Sequence, residues 1–254
     1  PIELTIELAE KRGFKLQVEE YDQEMEKQKE RARRAGLSAE KKLDWGALNL
    51  AQINRTEFVG YEQPAFEAKV IAIFPEKNLI ILDKSSFYGE SGGQVGDTGL
   101  LSWKGNDSRV INTLISSGGV ILHMVEDPKD LKINTKVKGV IDAAKRKATE
   151  AHHSATHLLH KALREAIGEQ ARQAGSYVGP DKLRFDYKSA RALTDEEIGK
   201  IEQRVNQKIK EKLKVEGLQK SYKEAVELGA MALFGEKYGD RVRVLKIGDY
   251  SLEL

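Results

Sequence analysis

Residues 65–74 read AFEAKVIAIF and residues 78–86 read NLIILDKSS, and these two runs decide the fold of the first half of the chain. The first contains β-branched and aromatic residues and the second the apolar run LIIL, and a short Pro-Glu-Lys stretch separates them. Similar runs stand nearby: FVGYE at 58–62, GDTGLLSW at 96–103, SRVINTLISSGGVILHMV at 108–125 and TKVKGVID at 135–142. About six short strands at this spacing predict a small antiparallel barrel or sandwich. Its expected core residues are Phe66, Val70, Phe74, Ile80 and Trp103.

The segments on either side of this β region have the period of helices. Residues 1–42 predict a short helix closed by Gly13 and a long, highly charged helix that ends near Gly36. Residues 142–167 predict a third helix, residues 193–214 a fourth that begins with a Thr194–Glu197 capping box, and residues 222–228 a short fifth. Two strands around a turn are expected at residues 176–187, and two more near the C-terminal end. The buried stripe of the third helix is predicted to be Ala151, Ala155, Leu158, Leu159, Ala162, Leu163, Ala166 and Ile167.

These patterns predict an α+β protein in three parts. The three predicted parts are a helical linker at residues 1–52, an antiparallel β-barrel with a glycine-rich loop at 53–143, and a two-layer α+β domain at 144–254. The chain has 254 residues, of which 32% are charged, and a net charge of +2. It has neither a secretory signal nor a membrane-length apolar run, and it contains no cysteine. The composition therefore fits a cytoplasmic protein without disulfides, whose metal ligands must be His, Asp or Glu.

The glycine-rich loop FYGESGGQVGDTG, at residues 87–99, allows two interpretations. Glycines let backbone N–H groups approach a ligand, and Glu90, Gln94 and Asp97 add polar side chains. The spacing matches neither a Walker A loop nor a dinucleotide fingerprint. The alternative is a tight connection between two strands.

The basic run at 145–147 and the lysines at 208–223 also allow two interpretations. They suit contacts with phosphate groups or a solvated helix face.

The segment HHSATHLLHKALRE, at residues 152–165, places His153 and His157 four residues apart on the third helix. Side chains at this spacing leave one face of a helix and can reach the same metal ion. A metal site needs three or four ligands, so the spacing alone leaves open an incidental pair. The segment lacks the glutamate of HExxH metalloproteases, which argues against that class of peptidase.

Four motifs in order carry a resemblance to a known family. They are the glycine-rich loop, HHSATHLLHKALRE, QAGSYVGPDKLRFDY and GAMALFGEKYGDRVRVLKIGDYSLEL. Together they resemble the linker and editing region of alanyl-tRNA synthetase over essentially the whole chain. This family joins alanine to its tRNA with ATP and magnesium, and its editing domain hydrolyses tRNA(Ala) mischarged with serine or glycine. A second sieve is needed because a small pocket discriminates poorly among such amino acids.

The resemblance implies a site and its partners. His153 and His157 match zinc ligands, Thr156 and Gln173 match catalytic positions, and the substrate-binding positions are Ser176, Glu90, Gln94 and Asp97. The implied substrate is tRNA(Ala), especially its 3′ acceptor end, with no membrane or DNA partner. Zinc either activates a water or anchors the substrate amine. The resemblance puts the ATP-dependent module before Pro1 and two further zinc ligands after Leu254, so we expect weak zinc binding and weak hydrolysis from this chain.

Several alternatives stay open. The ends fit a fragment, a disordered tail or one part of a naturally split synthetase. A free-standing trans-editing hydrolase is a rival, although such proteins usually begin near the barrel. A tRNA-binding module without chemistry of its own is another, which hydrolysis of Ser-tRNA would distinguish from an enzyme.

Overall fold

A computed structural model describes Gly13 and residues 48–128, 130–230 and 241–253. The chain divides into two units, Pro1–Leu50 and Ala51–Leu254. The helices predicted within residues 1–42 lie outside the described residues. Of this segment the structure describes Gly13 alone, and its φ of 77° lies in the left-handed region. A short 3-10 helix, Leu50–Gln52, precedes the first strand. The strands and α-helices described below all belong to the second unit.

Six strands close into a barrel in the order β2-β3-β7-β6-β5-β8, and every neighbouring pair is antiparallel. Closure leaves no free sheet edge, and it confirms the barrel rather than the sandwich. A 3-10 turn, Pro75–Lys77, joins the first two of these strands. The strands are β2 (Ala65–Phe74), β3 (Leu79–Leu82), β5 (Gly99–Trp103), β6 (Asn106–Ile115), β7 (Ile121–Val125) and β8 (Lys136–Ile141).

The barrel core follows from the alternation of side chains along its strands. In β8 every second residue is buried, as expected where one face points inward and the other to water. Four of the five predicted core residues, Phe66, Val70, Ile80 and Trp103, are buried. Phe74 is only partly buried, because it is the last residue of β2. Further members of the same core include Leu82, Phe87, Leu101, Val110, Val125, Val137 and Ile141.

The strand predicted at residues 58–62 is shorter than expected. The structure has a two-residue strand β1 (Glu57–Phe58), which pairs in parallel with β4 (Lys84–Ser85), and a turn follows it. Gly60 packs closely against its neighbours in this turn, because a Cβ on it would collide with the Ser86 carbonyl oxygen and the Phe58 ring. The turn keeps Tyr61 on the surface.

Helix α1 (Ala143–Ile167) begins at Asp142, whose side chain accepts a hydrogen bond from the Lys145 N–H, and ends at Gly168. Leu158, Ala162 and Leu163 are buried as predicted, and Ala155, Leu159 and Ile167 are partly buried. Ala151 and Ala166 were wrongly predicted to be buried and are exposed, because the helix turns polar residues inward along part of its length. Those buried polar residues are Arg146, Thr149, Thr156 and His160.

The remaining elements form two small layers. A hairpin, β9 (Gln173–Val178) with β10 (Leu183–Tyr187), packs with α1 and α2 (Asp195–Lys210). The predicted Thr194–Glu197 capping box starts α2. This helix ends before residue 214, because Val215–Ser221 forms an unpredicted strand, β11. The short helix α3 (Tyr222–Glu227) follows, and β12 (Arg241–Ile247) pairs with both β11 and β13 (Ser251–Glu253).

The observed class is therefore α+β, as predicted. Among the described residues, no helix has both the length and the apolar character needed to span a membrane.

Candidate active site

The two histidines of the HxxxH segment form a stacked pair on α1. The ring centroids of His153 and His157 lie 5.0 Å apart, and the ring planes differ by 15°. The helical spacing of four residues places both side chains on one face. Both rings are largely buried and reach the same region of the protein surface from one rigid element.

A fixed acceptor holds the Nδ1 atom of each histidine. Nδ1 of His153 lies 2.5 Å from Oε1 of Gln94, and Nδ1 of His157 lies 2.7 Å from Oε2 of Glu253. Amide and carboxylate oxygens accept, so both Nδ1 atoms donate their protons. In the neutral form of such a ring, Nε2 keeps its lone pair. The pair thus offers two imidazole nitrogens to a ligand, and the hydrogen bonds of the Nδ1 atoms to Gln94 and Glu253 fix the orientation of the rings.

Glu253 is the anchor that sequence reasoning missed. It is buried, and it accepts hydrogen bonds from His157 and, at 3.4 Å, from Nδ1 of His160, while Ser251 donates to its other oxygen at 3.2 Å. Burial by itself raises the pKa of this carboxyl, but the hydrogen bonds from His157 and His160 outweigh it and lower the pKa to about 2. A charged carboxylate therefore lies beneath the histidines at neutral pH.

His153 is neutral at pH 7. Burial is the main cause, and the charges of His157 and Arg243 add to it, so that the pKa of His153 is lowered to about 4. A neutral imidazole is the form that binds a metal or accepts a proton.

The glycine-rich loop is a tight turn and also part of this site, so its two interpretations do not exclude each other. The backbones of Ser91 and Gln94 exchange hydrogen bonds of 2.9 and 3.2 Å around Gly92 and Gly93, whose φ angles are 59° and 82°. Positive φ at both central residues is the type I′ geometry that favours glycine. The turn delivers the Gln94 side chain to His153.

The same loop is hydrogen-bonded to strand β9. The N–H of Val178 donates to the Gly93 carbonyl at 2.8 Å, and the N–H of Val95 donates to the Val178 carbonyl at 3.0 Å. Gly93 lies so close to Ser176 that a Cβ would collide with the Ser176 hydroxyl. The glycine-rich loop of the barrel thus pairs with the end of strand β9, so the barrel and the β9–β10 hairpin both contribute to the candidate site.

Gln173 and Ser176 lie at this junction, whereas Thr156 lies on α1 between the two histidines in sequence. Nε2 of Gln173 donates to the Ser176 hydroxyl at 3.1 Å, and that hydroxyl lies 3.5 Å from the Gly92 carbonyl oxygen. Thr156 is buried next to the histidine pair, and its hydroxyl donates to the His152 carbonyl at 2.8 Å. Because its proton is used in this way, the Thr156 oxygen is available to a ligand as an acceptor.

The Asp97 carboxylate binds Arg146 of helix α1. Its carboxylate accepts from Nε of Arg146 at 3.0 and 3.1 Å, from the Arg146 Nη2 group, and from the Tyr88 N–H at 2.7 Å. Arg146 also donates to the carbonyl oxygens of Gly60 at 3.0 Å and Ser86 at 2.9 Å. This buried network joins the loop, the 58–61 turn and α1, which is a structural role.

The other predicted polar residues lie on the surface. Glu90 is exposed, and its backbone N–H donates to the Thr113 carbonyl at 2.9 Å. In the basic run, Lys145 and Lys147 are exposed while Arg146 is buried, so the three do not form one phosphate-binding face. Three of the later lysines pair with neighbouring acids, which reduces their net field: Lys208 with Glu211, Lys214 with Glu216 and Lys223 with Glu227.

The residues present fit part of a zinc site. His153 and His157 supply two nitrogens, and their Nδ1 partners are of the type that orients metal-ligating histidines. Within residues 48–128, 130–230 and 241–253, no group of three or more His, Asp or Glu side chains is arranged to hold a metal ion. Two histidine nitrogens are fewer than the three or four ligands that a zinc ion takes.

Comparison with known proteins relates the chain to enzymes that charge tRNA. The family model described as tRNA synthetases class II (A) matches residues 1–145. The chain is 43% identical over 258 residues to the alanine–tRNA ligase of Pseudothermotoga lettingae, 41% over 269 residues to that of Alkaliphilus oremlandii and 43% over 267 residues to that of Bacillus cereus. Each alignment covers the whole chain, which spans about 30% of the length of these relatives. The ordered motifs, the family match and these relatives agree, and the chain belongs to the class II (A) tRNA synthetase family.

Proposed function

We propose that this chain is the editing region of an alanine–tRNA ligase and hydrolyses the ester of tRNA(Ala) mischarged with serine or glycine. The observation that carries the proposal is the stacked His153–His157 pair, whose Nδ1 atoms are held by Gln94 and Glu253 and whose Nε2 atoms face away from those anchors. The motif resemblance and the names of the relatives support the class of substrate.

His153 and His157 would hold a zinc ion together with ligands outside the described residues. Bound there, zinc would supply Lewis acidity, either toward a water or toward the amine of the substrate. Gln94 and Glu253 set the direction of the two imidazoles and keep their Nδ1 protons in place. In the reaction, water adds to the ester carbonyl carbon, the bond from that carbon to the ribose oxygen breaks, and the ribose oxygen takes up a proton.

Thr156 is proposed to recognise serine. Its proton is committed to the His152 carbonyl, so its oxygen can accept a hydrogen bond from the serine hydroxyl. Alanine has no such hydroxyl, and an unsatisfied buried polar group costs about 1–3 kcal/mol, so the correct amino acid is disfavoured here. Gln173 and Ser176, which are hydrogen-bonded to each other beside the glycine-rich loop, are proposed to complete the wall of this pocket.

The wider setting is proposed from the relatives. As part of an alanine–tRNA ligase, the chain would work beside an ATP- and magnesium-dependent aminoacylation module in the cytoplasm and would receive the 3′ end of tRNA(Ala). A tRNA-binding module without chemistry is the second candidate. The presence of only two zinc ligands among the described residues favours it.

Hydrolysis of seryl-tRNA(Ala) by the purified chain, with added zinc and with a chelator, tests the proposal. We expect weak, zinc-dependent release of serine, because the described residues supply only His153 and His157 to the zinc ion, and a further fall on the order of 100-fold in His157→Ala. His152→Ala is the matched control, because His152 lies on the same helix but bonds to the Gly179 carbonyl at 2.7 Å. Equal rates in His157→Ala and the wild type would contradict the assignment. Binding of the tRNA without any hydrolysis would favour the second candidate.

A further inference from the structure

Arg243 crosses from the β11–β12–β13 sheet to the turn after β1. Its Cζ atom lies over the ring of Tyr61, 3.9 Å from the ring centroid. Gly217, on the neighbouring strand β11, makes room for the side chain, since a Cβ there would lie 2.8 Å from Nε of Arg243. The guanidinium thus lies against a ring that is 62% exposed.

Two partly buried rings lie beside Tyr61. The ring of Phe58 packs edge-on against Tyr61 with a centroid distance of 4.9 Å and against Tyr88 with a distance of 6.3 Å. We name these four residues, Phe58, Tyr61, Tyr88 and Arg243, the Tyr61 platform. Aromatic rings stacked with an arginine form the kind of surface on which nucleic acid bases stack.

The platform is held from below by the buried Arg146. Nη1 of Arg146 donates to the Gly60 carbonyl, next to Tyr61, and the Asp97 carboxylate that Arg146 binds also accepts from the Tyr88 N–H. Gly60 itself has no space for a side chain. The backbones of the turn and of the start of the glycine-rich loop are therefore both bound to the same ion pair.

The platform borders the histidine pair. Tyr88 begins the loop that carries Gln94, and Gln94 bonds to His153. On the other side, Leu245 pairs with Glu253 across β12 and β13, so Arg243, two residues before Leu245, lies on the same face of the sheet as Glu253.

We propose that the Tyr61 platform binds the 3′-terminal nucleotide of the RNA, with its base against the aromatic rings and its phosphate at Arg243. This inference rests on the proposed function and adds to it the part of the substrate next to the ester. Arginine suits the task, because a planar guanidinium both stacks and donates two hydrogen bonds to a phosphate. Within the described parts of the chain, no carboxylate forms an ion pair with Arg243, so its charge is not neutralised there.

The test measures the affinity of the whole chain for two RNA hairpins by fluorescence anisotropy. One hairpin ends in a single-stranded 3′ tail, and the other lacks only the last nucleotide of that tail. The wild type is expected to bind the complete hairpin roughly tenfold more tightly, a usual effect of one stacked base. Tyr61→Ala and Arg243→Ala are expected to lose this preference, whereas Tyr61→Phe, which keeps the ring, retains it.

Two control variants remove similar side chains elsewhere. Tyr222→Ala takes away an exposed ring on α3, and Arg109→Ala an exposed cation on β6, and both are expected to keep the full preference. Thermal unfolding checks that each variant is folded. A folded Tyr61→Ala chain that still prefers the complete hairpin would overturn the inference.

Hydrolysis of seryl-tRNA, measured on the same proteins, separates this inference from the proposed function. Preference for the last nucleotide in a chain that hydrolyses no ester supports the platform and contradicts the editing activity. His157-dependent hydrolysis without any such preference supports the activity and contradicts the platform.

Discussion

The carboxylate of Asp97 and the guanidinium of Arg146 form a buried ion pair, 49 residues apart in sequence, that joins the glycine-rich loop of the barrel to helix α1. Both side chains are at most 10% exposed, and Arg146 makes two more hydrogen bonds to backbone carbonyls. Burial by itself lowers the pKa of Arg146, but the hydrogen bond and charge of Asp97 outweigh it and raise that pKa. One ion pair thus orders three segments around the site.

Removing one partner of this pair is expected to destabilise the fold strongly. Asp97→Asn leaves the Arg146 charge buried without its counter-ion, which costs about 3–5 kcal/mol in comparable cases. Urea unfolding at pH 7 measures the free energy. Glu67→Gln is the control, because it breaks a 3.5 Å ion pair with Lys138 that is more than 70% exposed on the same barrel, and it is expected to cost less than about 1 kcal/mol. Similar losses in the two variants would show that the buried pair is not a stabilising joint.

Gly93 and Gly92 form a matched pair for testing the loop. Both have positive φ, so alanine at either position strains the backbone by about 1 kcal/mol. A Cβ at Gly92 meets nothing within 4 Å, whereas one at Gly93 collides with Ser176. We therefore expect Gly93→Ala to be less stable than Gly92→Ala by a further 1–3 kcal/mol, on the order of other overpacking changes. Thermal unfolding of both variants tests this, and equal melting temperatures would contradict the close approach of the loop to β9.

His123 is expected to make the barrel sensitive to acid. It is fully buried, its Nδ1 donates to the Ile80 carbonyl at 3.1 Å, and its Nε2 accepts from the Ser85 hydroxyl at 2.7 Å. Burial lowers its pKa from 6.5 to about 4, although the hydrogen bond to Ile80 acts in the opposite direction. As the pH falls, the unfolded state binds the proton first, so stability is lost between pH 6.5 and about 4.

The full loss from this group is about 3 kcal/mol, since one pKa unit corresponds to about 1.4 kcal/mol. Other groups titrate in the same pH range, so the contribution of His123 is measured as the difference between the pH profiles of the wild type and of a variant without His123. Urea unfolding at several pH values is compared between the wild type and His123→Gln, which cannot be protonated. The variant is expected to be less stable at pH 7 but to lose less stability on acidification. Parallel pH profiles would show that His123 does not titrate as described.

Glu253 is expected to position His157. Glu253→Gln keeps the size of the side chain but replaces the charged acceptor, and the amide can present its NH₂ group to the ring instead. We expect hydrolysis of seryl-tRNA to fall about 10- to 100-fold, the usual effect of losing such a partner. Nitrogen NMR of labelled histidine is the structural readout, because the Nδ1-protonated form of His157 should become less populated. Glu216→Gln, at a partly exposed position paired with Lys214, is the control and should change neither measurement.

Local patterns in the sequence were sufficient for most of the fold. The alternation in residues 65–86 and 135–142 predicts the barrel strands, and the Thr194–Glu197 capping box marks the start of α2. Strand β11 was missed because VEGLQKS contains only two large apolar residues, and it is stabilised mainly by pairing with β12. The turn at Gly60 was read as strand because the cause lies outside the segment, in Ser86 and Arg146.

The candidate site was predictable only in part, because some of its contacts join residues that are far apart in sequence. The histidine spacing and the family motifs select His153 and His157, and Gln94 was among the predicted polar residues. The same reasoning put Asp97 at the site, and nothing local shows that its partner is Arg146. Glu253 had no signal of its own, because its hydrogen bond to His157 joins residues 96 positions apart. Contacts at such separations are set by the packing of whole elements.

That long separation has a consequence for biosynthesis. A nascent chain emerges from the ribosome N-terminus first, so helix α1 with its histidines leaves the exit tunnel well before β13 does. The hydrogen bonds of His157 and His160 cannot form until Glu253 has been synthesised. The last barrel strand ends at residue 141, so the barrel can close earlier. Contacts between distant positions form late, because the intervening loop must first be ordered. A nascent chain would therefore carry a folded barrel before it carries an assembled histidine centre.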